Sequence, residues 1–232
     1  MGSSQTRTNK VFLRNLWDAV PLIDLADPFA VLATRTDIRR AVNAYMGMLT
    51  KFYYLTLNVT MPVADGAKAV ASQRWHRDPE DKKMCKVFLY LTDVDESAGP
   101  FTYIKGSHWS GRWGSVARPK PFRGGPSPEE LERTIPRDDW LAATAPAGTI
   151  IFCDTSGIHR GGYATKKERI MFTAGYCSRA SAWPWRYRRP DNFDEQVARM
   201  SDLTLRYAFQ PYRAPLTTYF FRTVKKNFKY EG

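Results

Sequence analysis

Apolar and polar positions alternate along several short stretches of this chain, and the alternation predicts strands. In Lys86 to Thr92, Val87, Leu89 and Leu91 fall on one face, with Lys86, Phe88 and Tyr90 on the other. Successive strand side chains point to opposite faces. This strand is therefore expected to rest an aliphatic back on a core and to turn an aromatic, cationic front to a cavity. A strand is also expected at Arg169 to Tyr176, where Arg169, Met171, Thr173 and Gly175 share a face. Lys51 to Val59 is rich in aromatic and β-branched residues, as strands are. Further strands are expected at Ser72 to Asp78, ended by Pro79, at Phe101 to Lys105, and at Thr149 to Cys153 after Gly148.

Helical spacing is rarer. Ile38, Val42, Tyr45 and Leu49 recur every three or four residues and predict a helix over Thr36 to Leu49. Ser127-Pro128-Glu129-Glu130 resembles a capped start for a short helix to about Thr134. Phe193 to Phe209 reads as helical. Val11 to Leu32, interrupted by Pro21 and Pro28, is expected to be irregular with short turns, and residues 1–10 to be a disordered tail. Arg112 to Pro128, rich in Gly, Pro and Arg, has the composition of a long mobile loop, of the kind that forms lids. Many short strands between Gly/Pro turns, with a few flanking helices, predict a mainly β antiparallel barrel or jelly roll.

The 232 residues suit a single domain over 1–232 with a sizeable core. The net charge of +12 favours anionic partners: a phosphorylated or carboxylated substrate, nucleic acid or an acidic membrane. A solvated basic surface is the plainer explanation. From Arg179 onward there are 11 Lys/Arg against 5 Asp/Glu. Cys85, Cys153 and Cys177 are an odd number at wide spacing with no CxxC pair, which argues against a disulfide framework or structural zinc and for buried free thiols. No run of eighteen apolar residues occurs and the first residues lack an apolar signal core, so no membrane span and a cytoplasmic location are expected.

The candidate chemistry lies in a sparse set. Two of the three histidines are His76, in His76-x-Asp78, and His159, which stands 81 residues after Asp78 and ten before Arg169. On a strand, i and i+2 point the same way, so His76 and Asp78 can share a metal, and His159 from a distant strand can complete one triangular face. Two His and one carboxylate with the other positions open is the ligand set of Fe(II) sites that bind both co-substrate and oxygen. Arg169 opens an otherwise apolar strand. A cation facing a barrel interior needs a carboxylate partner, and the far carboxylate of a metal-bound keto acid would satisfy it bidentately.

Several stretches resemble the phytanoyl-CoA dioxygenase family of Fe(II)/2-oxoglutarate oxygenases. They are Trp75-His76-Arg77-Asp78, Val87-Phe88-Leu89-Tyr90-Leu91-Thr92-Asp93, Gly99-Pro100-Phe101, Ile104-Lys105-Gly106-Ser107-His108, Gly148-Thr149-Ile150-Ile151-Phe152, His159-Arg160-Gly161-Gly162 and Arg169. The resemblance spans about residues 52 to 177. It implies a double-stranded β-helix, with His76, Asp78 and His159 as iron ligands, Arg169 on the distal carboxylate of 2-oxoglutarate and Phe88 against that co-substrate. It implies a dioxygenase that uses 2-oxoglutarate and O2, hydroxylates an unactivated C–H bond and releases succinate and CO2. Relatives that halogenate put Gly or Ala at the Asp78 position, so the intact carboxylate points to hydroxylation, with desaturation and ring formation open. The family often has Ser or Thr two residues after the distal His. Here that residue is Gly161, so Arg169 needs another helper. His108 matches a turn that is not a ligand in the family.

The substrate is the least legible part. Lys86, Tyr90, Arg160 and Arg186-Tyr187-Arg188-Arg189 could bind an anionic or acyl-type small molecule, or be surface charges interleaved with core aromatics. Trp109, Trp113, Trp183 and Trp185 could form an apolar lid or merely pack. Two alternatives are the same chemistry on nucleic acid or protein, which the basic balance allows but no continuous aromatic-basic stripe supports, and a non-catalytic module that kept the barrel. A zinc hydrolase is disfavoured by Arg169 and by the lack of a general-base Glu near His76.

Overall fold

The computed structural model describes residues 12–64, 66–116 and 125–210. The expected tail at 1–10, the centre of the Arg112 to Pro128 loop and the basic segment after Gln210 lie outside the described residues.

Five antiparallel strands form the larger sheet: β1 (Leu13–Asn15), β2 (Lys51–Thr60), β3 (Met84–Tyr90), β6 (Ile150–Cys153) and β8 (Arg169–Cys177), in the order β1-β2-β8-β3-β6. The smaller sheet holds β4 (Thr102–Ile104), β5 (Trp140–Ala142) and β7 (His159–Arg160), in the order β5-β4-β7. The two sheets meet where Phe88 and Met171 of the larger pack with Tyr103 of the smaller and with Phe101 just before it. Two antiparallel sheets that face each other without closing into a barrel form an open double-stranded β-helix.

The back of the larger sheet is where the alternation has its effect. Leu55 and Leu57 of β2, Cys85 and Val87 of β3, and Phe172, Ala174 and Tyr176 of β8 join one buried cluster. Helices cover it: α1 (Pro28–Thr34), α2 (Thr36–Met46), α4 (Phe193–Arg199) and α5 (Leu203–Phe209). α2 contributes Ile38, Val42 and Met46, all buried, each worth about 1.5–3 kcal/mol on leaving water. It stops at Gly47, whose φ of 71° is the left-handed cap glycine allows. Because the apolar residues of these strands face the helices, Thr56, Asn58, Thr60, Lys86, Phe88, Arg169, Met171 and Thr173 face the other way, toward the smaller sheet.

Three expectations need correction. Val11 to Leu32 is not wholly irregular: β1 pairs with β2, and α1 starts on Pro28 with Asp27 accepting from the Phe29 and Ala30 amides. Ser72 to Asp78 is not a strand: a 3-10 turn (Ala71–Gln73) precedes a single bridge from His76 to His159. Phe193 to Phe209 is two helices, because Asp202 accepts from the Thr204 and Leu205 amides and restarts the helix as α5. That carboxylate also pairs with buried Arg39 of α2. Strand β5, only three residues long, has no counterpart among the expected strands. The helix α3 (Pro128–Thr134) has the capped start expected of it, with Ser127 accepting from the Glu130 amide. All three cysteines are free and buried. Among the described residues, no helix is long and apolar enough to cross a membrane.

Candidate metal centre

The segment after the 3-10 turn is tied into the smaller sheet at one residue. The His76 amide donates to the His159 carbonyl and the His159 amide to the His76 carbonyl, both at 2.9 Å. Two residues on, the Asp78 amide donates to Thr155 O at 2.9 Å. One bridge plus this anchor keeps the i, i+2 geometry that a longer strand would have supplied. His76, Asp78 and His159 each offer a ligand atom, all within 4.8 Å of one another. His76 Nε2 is 3.8 Å from Asp78 Oδ1, and His159 Nε2 is 3.6 Å from Asp78 Oδ2.

Each imidazole is oriented from behind. His76 Nδ1 lies 2.8 Å from Arg74 O, and His159 Nδ1 lies 2.9 Å from Gly157 O. A carbonyl can only accept, so each neutral ring carries its proton on Nδ1 and turns the Nε2 lone pair toward Asp78, the outer-shell arrangement that fixes metal-binding histidines. Burial holds His159 well below the usual imidazole range, at about 3, against the opposing pull of Asp78. Burial alone would raise the Asp78 carboxyl, but the Lys86 ammonium, with His159 and His76, holds it well below the carboxylate range.

The turn that delivers His159 is built for close approach. A Cβ on Gly157 would overlap the Tyr103 hydroxyl of β4. Ser107, fully buried, accepts the Ile158 amide at 2.7 Å. Arg77, between the two ligands of the first pair, points to the opposite side and donates to Ser107 O, to Ser156 O at 2.8 Å and to Val116 O at 2.9 Å. Sequence reasoning missed this clamp. The available signal was position: a residue between two ligands on an extended segment faces away from them, into the protein.

A cleft of ≈ 230 Å³ opens on the triad, and Phe88, Phe101 and Arg169 also line it. The Phe88 and Phe101 rings are 4.7 Å apart, and Phe101 is 5.5 Å from the His159 ring. Arg169 is 3% exposed. It donates to Gly99 O at 2.6 Å and to Thr60 Oγ1 at 3.1 Å, and no carboxylate among the described residues pairs with it. Burial pulls its pKa down, with Tyr90 opposing. Gly161 donates its amide to Ser72 O at 2.6 Å, and a Cβ there would sit 3.2 Å from that carbonyl.

Most of the proposed anion-binding residues are otherwise engaged. Lys86 Nζ is 2.6 Å from Asp78 Oδ2. The Tyr90 hydroxyl donates to Ala143 O and accepts from the Phe101 amide. Arg160 lies over the Trp75 ring, Tyr187 is buried in the helix-side core, Arg188 pairs with Asp18, and Arg189 donates to Phe209 O. Arg186 alone of that basic segment lines the cleft. Trp113 and Trp185 pack, whereas Trp109 and Trp183 border a second groove behind Asp78. His108 stands outside the triad, 3.2 Å from Ser110 Oγ.

The fold and the convergent His-Asp-His group define a double-stranded β-helix with a mononuclear metal-binding pattern. The profile of the phytanoyl-CoA dioxygenase (PhyH) family matches residues 24–171, and the chain belongs to that family. The match starts well before the stretch recognisable by motif, so it takes in the helices α1 and α2. Among solved structures, the non-heme alpha ketoglutarate dependent carbocyclase SnoK from nogalamycin biosynthesis is similar at 19% identity and a TM-score of 0.51, covering 75% of this chain and 66% of that one. The epimerase SnoN, in complex with Fe3+, alpha ketoglutarate and nogalamycin RO, is similar at 19% identity and a TM-score of 0.50, covering 69% of this chain and 62% of that one. The chain thus spans less than two thirds of either neighbour, and at this identity the likeness is one of fold. No curated protein matches the chain.

Proposed function

We propose that this protein is an Fe(II)- and 2-oxoglutarate-dependent dioxygenase that hydroxylates an unactivated C–H bond of a small metabolite, with release of succinate and CO2. The observation that carries the reading is the pairing of an N,N,O triad with a buried arginine that has no anionic partner among the described residues. A buried cation is strongly disfavoured without a partner, and a carboxylate entering the cleft supplies one. The donor set fits the proposed metal: two neutral imidazoles and one carboxylate suit Fe(II) and leave positions open.

His76 and His159 would bind through Nε2, with their Nδ1 protons held by Arg74 O and Gly157 O. Asp78 would bind as the carboxylate, which its neighbours keep ionised. Arg169 would grip the far carboxylate of 2-oxoglutarate. The Thr60 hydroxyl, beside Arg169 on the neighbouring strand, takes the helper role that Gly161 cannot fill. Phe88 and Phe101 exclude water from the space between. When bound, Fe(II) and 2-oxoglutarate together supply the activation of O2.

Anaerobic titration of the metal-free protein with Fe(II) and then 2-oxoglutarate tests this directly. The weak visible charge-transfer band of the chelate is expected in wild type, lost in Asp78→Ala and weakened in Arg169→Ala. Wild type that binds Fe(II) but gives no band with 2-oxoglutarate would overturn the assignment.

A further inference from the structure

Among the described residues, Lys86 is the one cation in direct contact with the triad. It stands on the cleft face of β3, opposite Gly175 of β8, where the Tyr53 and Tyr54 side chains fill the space a Cβ would take. Its ammonium is 2.6 Å from Asp78 Oδ2, and both side chains are 12% exposed. The Tyr54 ring lies 5.4 Å from Nζ. Glu80, buried and lining the same cleft, has Oε2 without a hydrogen-bond partner and adds to the negative field on Lys86. The two oxygens of Asp78 are therefore not equivalent. Each oxygen faces one imidazole, Oδ1 that of His76 and Oδ2 that of His159, but only Oδ2 also carries an ammonium.

The charges follow from these contacts. With neutral histidines, the triad alone carries −1, and Lys86 brings it to zero. A divalent metal then makes it +2, and a dianionic keto acid returns it to zero. Without Lys86 the same series runs −1, +1, −1. A cation touching one ligand oxygen lies within a few ångströms of any metal that carboxylate holds. Charges that close, at the dielectric of a partly buried site, change affinities on the order of tenfold or more.

We propose that Lys86 is a positioning residue of the metal centre: it holds the Asp78 carboxylate through Oδ2, and its charge weakens binding of the bare metal while strengthening binding of the dianionic co-substrate to the loaded site. The second half rests on the function proposed above; the first does not.

Anaerobic calorimetric titration with Co(II), and then of the Co(II)-loaded protein with 2-oxoglutarate, tests it. Lys86→Met removes charge and hydrogen bond, Lys86→Gln removes the charge but keeps a donor, and Lys86→Arg keeps the charge. The inference expects Lys86→Met and Lys86→Gln to bind Co(II) about tenfold more tightly and 2-oxoglutarate about tenfold more weakly, with Lys86→Arg close to wild type. A merely structural lysine would weaken both steps together. Loss of both affinities in Lys86→Gln, no change in either, or a Lys86→Arg protein that behaves like Lys86→Met would overturn the inference. Wild type that takes up Co(II) but not 2-oxoglutarate would instead overturn the functional reading and, with it, the co-substrate half. The metal half is then decided by the Co(II) affinities alone.

Discussion

Replacing Arg169 by Met separates what this residue does for the fold from what it does for a ligand. The substitution removes a guanidinium that is 3% exposed and two hydrogen bonds, to Gly99 O and Thr60 Oγ1. Together the two bonds from a charged donor contribute about 3–6 kcal/mol. Against this, a buried charge without a counter-ion carries a desolvation penalty of several kcal/mol, which an apolar side chain of similar length abolishes. The opposing contributions are of equal size, so the metal-free variant is expected to lie within about 2 kcal/mol of wild type. The ligand-bound proteins should then diverge. A co-substrate at a hundred times its Kd stabilises the folded state by about 2.7 kcal/mol, which for a domain of this size raises Tm by roughly 5–10 °C. Anaerobic thermal melts with Mn(II), with and without 2-oxoglutarate, should show that rise in wild type and none in Arg169→Met. A metal-free variant destabilised by more than about 4 kcal/mol would refute the reasoning, because Arg169 would then be part of the scaffold. An undiminished rise with 2-oxoglutarate would refute it from the other side.

Three further predictions concern the supports of the triad. Gly157→Ala forces a methyl group into the Tyr103 hydroxyl and should cost about 1–3 kcal/mol in urea melts, with Co(II) affinity falling because the displaced turn carries His159. Arg77→Ala strips a buried cation from the backbone carbonyls it holds and leaves them unpaired. It should lower stability by about 3–5 kcal/mol, read by the same melts, and weaken the metal more than it disturbs the helix-side core. His159 stays neutral in the fold down to pH about 3, whereas the unfolded chain takes up that proton near pH 6.5. A group depressed in this way stabilises the fold above its unfolded value and loses the contribution as pH falls. Metal-free stability should therefore decline from about pH 6.5 downward, with a slope approaching ~1.4 kcal/mol per pH unit. His159→Gln should flatten that limb between pH 6.5 and about 4.5, and an unchanged slope would count against the burial argument.

Strands β4 and β6 were legible as short runs between turns, whereas the division into two faces was legible in strands with one face on the helix layer. In β2, β3 and β8 the aliphatic residues must face the helices, which leaves Asn58, Thr60, Lys86, Phe88, Arg169 and Thr173 for the cleft, and period two alone exposes that division. His76, Asp78 and His159 were legible by residue type and spacing, although the first pair does not sit on a strand. A single reciprocal bridge does the work of a ladder there, and no periodicity signals one bridge. The break between α4 and α5 was hidden because Asp202 reads equally well as an exposed helix residue or as a cap, and only its placement beside Arg39 decides. Lys86 shows the sharpest limit. A lysine on a cleft-facing strand has the same sequence signature whether it awaits a ligand or is bound to Asp78, since its partner is set by how β3 lies against the 76–78 segment.

The reciprocal backbone pairing of His76 and His159 ties the chemistry to register. Had the two segments slipped by one residue, Trp75 or Arg77 would face His159 in place of His76, because side chains alternate. Metal uptake by this protein is thus a report on pairing fidelity across a separation of more than eighty residues. A misregistered chain could retain its helix-side core and still be unable to hold an ion. During folding, a metal joining these two segments would close that long loop and reject the slipped forms, acting as a proofreader of the smaller sheet.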